Sequence, residues 1–202
     1  MTQQEIKTIA LVGGGVIGGG WATRCLANGL NVVVTDPRPE SRDYVERMID
    51  EAWPILEEAD LIAESSGQLS FVDNIEAAVA QADFVQENVP EREDLKIAIH
   101  QEISENVRAD VVIASSSSGL LPSRLQSQCK HPERLLIGHP FAPVYLLPLV
   151  EVVGSEQTSS VAVSRAGAFY RSIGMRPLHV RREIEAYIAD RLQESLYREA
   201  LH

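Results

Sequence analysis

Cysteine is nearly absent: Cys25 and Cys129 are the only two in 202 residues, and neither belongs to a CxxC pair. That excludes a disulfide framework and a cysteine metal site, so no metal is expected, and it fits a reducing, cytoplasmic setting. Positive charge is also scarce, with 18 basic side chains against 29 acidic ones and a net charge of −11. Nucleic acid and anionic membrane surfaces both need concentrated positive potential, and no run of Lys and Arg supplies it, so neither is an expected partner. Long apolar runs are missing too. Residues 1–7 are polar and carry Glu5, and the apolar run behind them breaks at Gly13, which argues against a signal peptide and a membrane span. There is no internal repeat and no low-complexity tract.

The chain is 45% hydrophobic and long enough to bury roughly 70% of its unfolded surface. Short apolar runs at residues 8–12 and 31–35 read as strands buried on both faces, joined by a helix with Ile17, Trp21, Ala22, Cys25 and Leu26 on one stripe. This is a βαβ unit. Residues 39–64 read as a charged helix interrupted at Pro54. Further strands are expected at 69–72, 83–86, 111–114, 135–138, 149–153 and 176–180, and helices at 75–80, 95–103 and 161–173. The alternation predicts an α/β fold with a doubly wound, mostly parallel, Rossmann-type sheet over residues 1–183. From Ile184 the pattern turns helical, with Ile188, Leu192 and Leu196 four apart, and reaches His202 without a stop signal. Residues 184–202 are therefore expected to be the first helix of a helical domain cut short, its apolar stripe in need of a cover.

Gly13, Gly15 and Gly18 form GxGxxG directly after a strand, with Val16 and Ile17 opening the helix. In that context Gly13 permits a tight turn, Gly15 lets backbone approach a pyrophosphate at the positive helix N-terminus, and Gly18 allows close helix-to-strand packing. Asp36 ends the second strand, where a carboxylate accepts from adenosine ribose hydroxyls and repels a 2′-phosphate. The expected cofactor is NAD rather than NADP.

His139 follows a buried apolar run and leads into the Pro140-Phe141-Ala142-Pro143 loop, at the carboxyl end of a strand, where open α/β sheets place ligands. Glu151 lies inside an apolar run twelve residues on, and a buried acid needs a partner. A His139–Glu151 pair satisfies both. Such a pair can take the proton of a substrate alcohol while hydride leaves, or it can be a buried structural pair, and the spacing fits both. His100, His131, His179 and His202 read as ordinary surface or packing residues.

The glycine loop with Asp36, the stretch from Gln86 to Arg92, the run from Ser115 to Ser123 and above all the stretch from His139 to Glu151 resemble the 3-hydroxyacyl-CoA dehydrogenase superfamily, most closely its branch acting on L-carnitine. Coverage is essentially the whole chain. The resemblance implies NAD-dependent oxidation of a 3-hydroxyl by His139 and Glu151, with Ser118 near the substrate hydroxyl and Glu91 and Lys96 lining the nicotinamide side. It also implies a small-molecule substrate, L-carnitine, and a homodimer in the full-length protein. Three departures stand out. Ala142 occupies a position where the family usually has Asn, Ala186 one where the wider superfamily tends to have Gly, and a further helical domain would be expected after the last helix.

Charge bears on the substrate. Between residues 39 and 70 nine acids face only Arg42 and Arg47, a local charge of −7. That surface would repel a polyanionic CoA ester but not a small trimethylammonium substrate, or it is a solvated helix face whose charge serves solubility alone. Phe141 and Tyr145 offer ring faces to such a cation, or serve packing alone. Two other readings remain: a dehydrogenase of hydroxyacyl-CoA, of the 3-hydroxybutyryl-CoA type, and a module that binds NAD without turnover.

Overall fold

The computed structural model describes residues 5–64 and 67–202; the first four residues of the polar N-terminus lie outside them. The elements in order are β1 (Thr8–Val12), α1 (Val16–Ala27), β2 (Asn31–Thr35), α2 (Ser41–Glu58), β3 (Leu69–Phe71), α3 (Ile75–Val79), β4 (Phe84–Glu87) and α4 (Glu93–Asn106). They continue with β5 (Val112–Ser115), α5 (Pro122–Leu125), β6 (Leu135–Pro140), β7 (Leu149–Val153), α6 (Ser160–Ser172), β8 (Arg176–Val180) and α7 (Ala189–Leu201).

The strands form one sheet in the order β3-β2-β1-β4-β5-β6-β7-β8. Its first six positions have the doubly wound Rossmann order, with the topological switch between β1 and β4. Every pairing is parallel except β6 with β7. The loop between those two strands is too short for the dozen or more residues that a parallel crossover takes, so β7 returns antiparallel.

Strand residues alternate between two cores. Ile9, Leu11 and Phe84 pack with Trp21, Phe169 and Tyr170 on the α1 and α6 side. Ala10, Val12 and Val85 pack with Val79, Ile103 and Tyr187 on the other. With helices on both faces, the strands have no polar side to show, which is why they read as continuous apolar runs. Helix α1 is buried nearly all round, from Gly18 to Ala27, rather than along the single stripe expected.

Three expectations are corrected. Helix α2 runs unbroken through Pro54. Pro54 and Asp50, whose carbonyl loses its i+4 donor, are both exposed, so the missing bond falls on the solvent side while buried Ala52 and Leu56 hold the helix down. Strands β4 and β5 each lie one residue further along than expected, starting at Phe84 and Val112 and ending at Glu87 and Ser115, whose polar side chains are buried on each other. The last helix begins at Ala189 rather than Ile184, since Ala186 and Tyr187 have φ of 59° and 43° and cannot continue a right-handed helix. Its apolar residues Leu192 and Leu196 are 61% and 72% exposed, so the sheet does not cover them.

Candidate active site

The carboxyl ends of β1, β2, β4 and β6 open onto one cleft of about 660 Å³, a size typical of small-molecule sites. Gly13 turns out of β1 with φ of 101°, and a Cβ there would sit 2.8 Å from the Asn88 backbone. A Cβ on Gly18 would fall 1.9 Å from the Gly13 carbonyl oxygen, so α1 can approach its strand only without one. Gly15, Val16 and Ile17 line the cleft at the start of α1, where the first-turn amides lack intrahelical acceptors. A Cβ on Gly15 would meet only the Arg38 Nη2, at 3.8 Å, leaving a cradle open to a ligand backbone. Asp36 accepts from the Gly14 N–H at 2.8 Å and lines the same cleft. Burial alone would raise its carboxyl, but Arg38 and the Gly14 N–H hold it below the usual range. This donor set fits a dinucleotide: glycine backbone and helix amides for the pyrophosphate, a carboxylate for the ribose.

In the same cleft His139 stands across from Glu151 in the β6–β7 register, with Nδ1 3.0 Å from Oε2. Antiparallel neighbours in register project to the same face, so the twelve-residue spacing becomes a contact. The Glu151 carboxylate is fully buried; burial would raise its pKa, but the His139 ring and the N–H groups of Ala189 and Ile188 outweigh that and hold it low. Those two N–H groups, at the start of α7, donate to Oε1 at 3.0 Å each. Both oxygens are thus committed, the Nδ1–H tautomer is favoured, and Nε2 is the ring nitrogen left for a reacting partner.

Ser118, Glu91 and Lys96 all line the cleft, on loops after β4 and β5 and on α4. Glu91 Oε1 accepts from Ser117 Oγ at 2.5 Å and from the N–H groups of Ser118 and Gly119 at 3.0 and 3.2 Å, tying the serine loop to the β4 loop. Lys96 is 99% buried and donates to Glu87 Oε1 at 2.7 Å and to the Val89 carbonyl at 3.0 Å. Its Nζ also lies 3.5 Å from Glu91.

Several residues outside the sequence expectation support this site. Glu87 is buried at the end of β4, where Val89 N–H, Ser115 Oγ and Lys96 Nζ all donate to it. His100, expected to be ordinary, is also fully buried, with Nε2 3.0 Å from Glu87 Oε2 in a geometry too poor for a well-formed hydrogen bond. Burial would raise the Glu87 carboxyl; His100 and Lys96 outweigh it and bring it down to about 2. Arg24, inside α1, is buried without a carboxylate and donates to the carbonyls of Val144, Ile173 and Leu147 at 2.8, 3.0 and 3.3 Å. It thereby pins the loop after His139. Tyr187 is fully buried, its ring 5.6 Å from the imidazole and its hydroxyl donating to Leu120 O at 2.6 Å. Phe141 lies 4.7 Å from the imidazole on its other contact. Tyr145 and Ala142 do not line the cleft, and Ala142 is exposed. Among the described residues no His, Cys, Asp and Glu group could hold a metal, and no helix is long and apolar enough to cross a membrane.

A family model described as 3-hydroxyacyl-CoA dehydrogenase, NAD binding domain, matches residues 8–184. The chain is 54% identical over 199 residues to an L-carnitine dehydrogenase of Pseudomonas aeruginosa, covering 98% of this chain and 62% of that protein. To an L-carnitine dehydrogenase of Oceanobacillus iheyensis it is 48% identical over 198 residues, covering 98% and 64%. The chain thus spans less than two thirds of these relatives. Among solved structures it is similar to an NAD-dependent 5-formyl-3-hydroxy-2-methylpyridine 4-carboxylic acid 5-dehydrogenase, with a TM-score of 0.92 and 32% identity over 98% of this chain and 64% of the other. It is also similar to (S)-3-hydroxybutyryl-CoA dehydrogenase from Ralstonia eutropha, with a TM-score of 0.88 and 25% identity over 97% and 70%.

Proposed function

The chain belongs to the 3-hydroxyacyl-CoA dehydrogenase family as its NAD-binding domain, and from that premise we propose that it serves the NAD-dependent oxidation of the 3-hydroxyl of L-carnitine to 3-dehydrocarnitine. The observation that carries this is the buried His139–Glu151 pair in the wall of the dinucleotide cleft. NAD held by the glycine loop and Asp36 supplies the hydride acceptor. His139 takes the proton of the substrate hydroxyl at Nε2, and Glu151 stabilises the resulting imidazolium through Nδ1–H. Ser118, on the cleft wall, holds the substrate oxygen. Glu91 and Lys96 shape the nicotinamide side, Glu91 by fixing the serine loop and Lys96 by neutralising Glu87 and Glu91.

Substrate choice rests on the carnitine dehydrogenase relatives and on charge. Asp43, Glu46, Asp50, Glu51, Glu57 and Glu58 all lie on α2, a surface that repels a CoA polyphosphate and tolerates a trimethylammonium group. The exposed apolar face of α7 supports reading residues 184–202 as the start of a separate helical unit. A homodimer and a cytoplasmic location complete the proposal, supported by the family resemblance and by the scarcity of cysteine.

The test measures NADH production from L-carnitine and from (S)-3-hydroxybutyryl-CoA, beside a calorimetric titration with NADH. Turnover of carnitine in excess of the CoA ester is expected. Faster oxidation of the CoA ester would overturn the substrate reading, and NADH binding without turnover of either would select the binding-module reading for this chain.

A further inference from the structure

Asp36 does not present a free carboxylate to the cleft. The Arg38 N–H and Nε donate to Oδ1 at 2.9 and 3.0 Å, and the Arg38 Nη2 and the Gly14 N–H donate to Oδ2 at 2.8 Å each. A carboxylate has about four lone-pair directions, so its acceptor capacity is filled. The bidentate fork is the strong geometry for such a pair. The two members differ in freedom: the Asp36 side chain is 6% exposed and anchored to the glycine loop, whereas that of Arg38 is 55% exposed and lines the cleft beside it. A ribose diol reaching Asp36 must therefore displace the guanidinium, and a 2′-phosphate arriving there meets a neutralised pair instead of a bare anion.

We propose that Arg38 is a specificity-determining residue of this cleft: its guanidinium, seated on Asp36, competes with the ribose of NAD and offers a counter-charge to a 2′-phosphate, so that NADP is rejected far less than by Asp36 alone. The inference rests on the cofactor reading above and deepens it. Planarity and permanent charge suit arginine to both tasks, since it can leave one oxyanion fork for another without losing its proton. Charge repulsion between a phosphate and an unpaired carboxylate is the discrimination that Arg38 weakens.

The test is the ratio of NADH to NADPH dissociation constants, measured by calorimetry at two ionic strengths for the unaltered chain, Arg38→Met, Arg38→Lys and Asp36→Ala. Arg38→Met should raise the preference for NADH at least about tenfold, mostly by weakening NADPH, as loss of one charge-assisted contact does. Arg38→Lys, which keeps the charge without the fork, should fall between. NADPH binding to the unaltered chain should weaken with salt more steeply than NADH binding. An unchanged ratio in Arg38→Met, with NADH still bound and Asp36→Ala still lowering NADH affinity, would overturn the proposal and leave the cofactor reading standing. Failure of the unaltered chain to bind either dinucleotide would overturn both. Thermal unfolding of each variant without ligand checks that a half-exposed side chain was changed at no cost to the fold.

Discussion

At the scale of single residues, the proposed chemistry depends on the contact between His139 and Glu151. Glu151 is buried in β7 and would be forced toward neutrality there without the imidazole and two amide donors. His139→Ala or Glu151→Gln should lower turnover by about 10² to 10⁴ and leave NADH affinity nearly unchanged. Gln at 151 keeps one oxygen for the Ile188 and Ala189 amides, so the start of α7 survives while the charge is lost. Stopped-flow turnover measured beside NADH titration checks it; affinity falling in step with rate would make the pair structural.

At the scale of elements, two local devices hold the site. Ala186 and Tyr187 carry positive φ, which breaks the chain direction just before α7 and drops the Tyr187 ring against His139. An alanine in the left-handed region is strained by about 1 to 2 kcal/mol, partly offset because glycine loosens the unfolded chain. Ala186→Gly should therefore stabilise the fold by up to about 1 kcal/mol, read as a higher denaturant midpoint with an unchanged slope. The second device is the guanidinium of α1 that gathers three carbonyls from the loops after β6 and α6. Arg24→Met leaves those carbonyls without donors, at about 1 to 3 kcal/mol each less the relief of an unpaired buried cation. A net loss of about 2 to 3 kcal/mol is expected, with the KM for the alcohol rising more than the dissociation constant of NADH, because the loosened loop borders His139 rather than the glycine turn.

At the scale of the whole molecule, acid should find its weak point at the centre of the sheet. Glu87 has a carboxyl lowered from 4.5 to about 2, so the folded state holds it ionised where the unfolded chain would take up a proton. Its contribution is complete above about pH 4.5 and is lost as the pH falls toward 2. Glu87→Gln takes the nearest counter-charge from the Lys96 ammonium, leaving it Glu91 at 3.5 Å and the Val89 carbonyl, and should cost about 3 kcal/mol near neutrality. The gap between variant and unaltered chain should narrow steadily below pH 4.5 in denaturant titrations at successive pH values; a gap that stays constant down to pH 2 would show that the carboxylate's charge is not what stabilises the sheet centre.

Apolar runs of five residues, a glycine loop and an acid at the second strand's end are local patterns, so the sequence alone determined the βαβ start, the doubly wound sheet and the cofactor cleft, because buried parallel strands and a pyrophosphate cradle each demand those residues in that order. The spacing of His139 and Glu151 suggested a pair but left its role open, since contact depends on β7 running antiparallel in one register. Tertiary structure alone decided the rest. Arg24 meets carbonyls more than a hundred residues away, Tyr187 reaches Leu120, and Glu87 and Ser115 carry the ends of two strands one residue past where hydrophobicity would have put them. Polar residues inside a core have no periodicity to announce them. Their burial is allowed only by partners distant in sequence, and those partners are assembled only when the sheet closes.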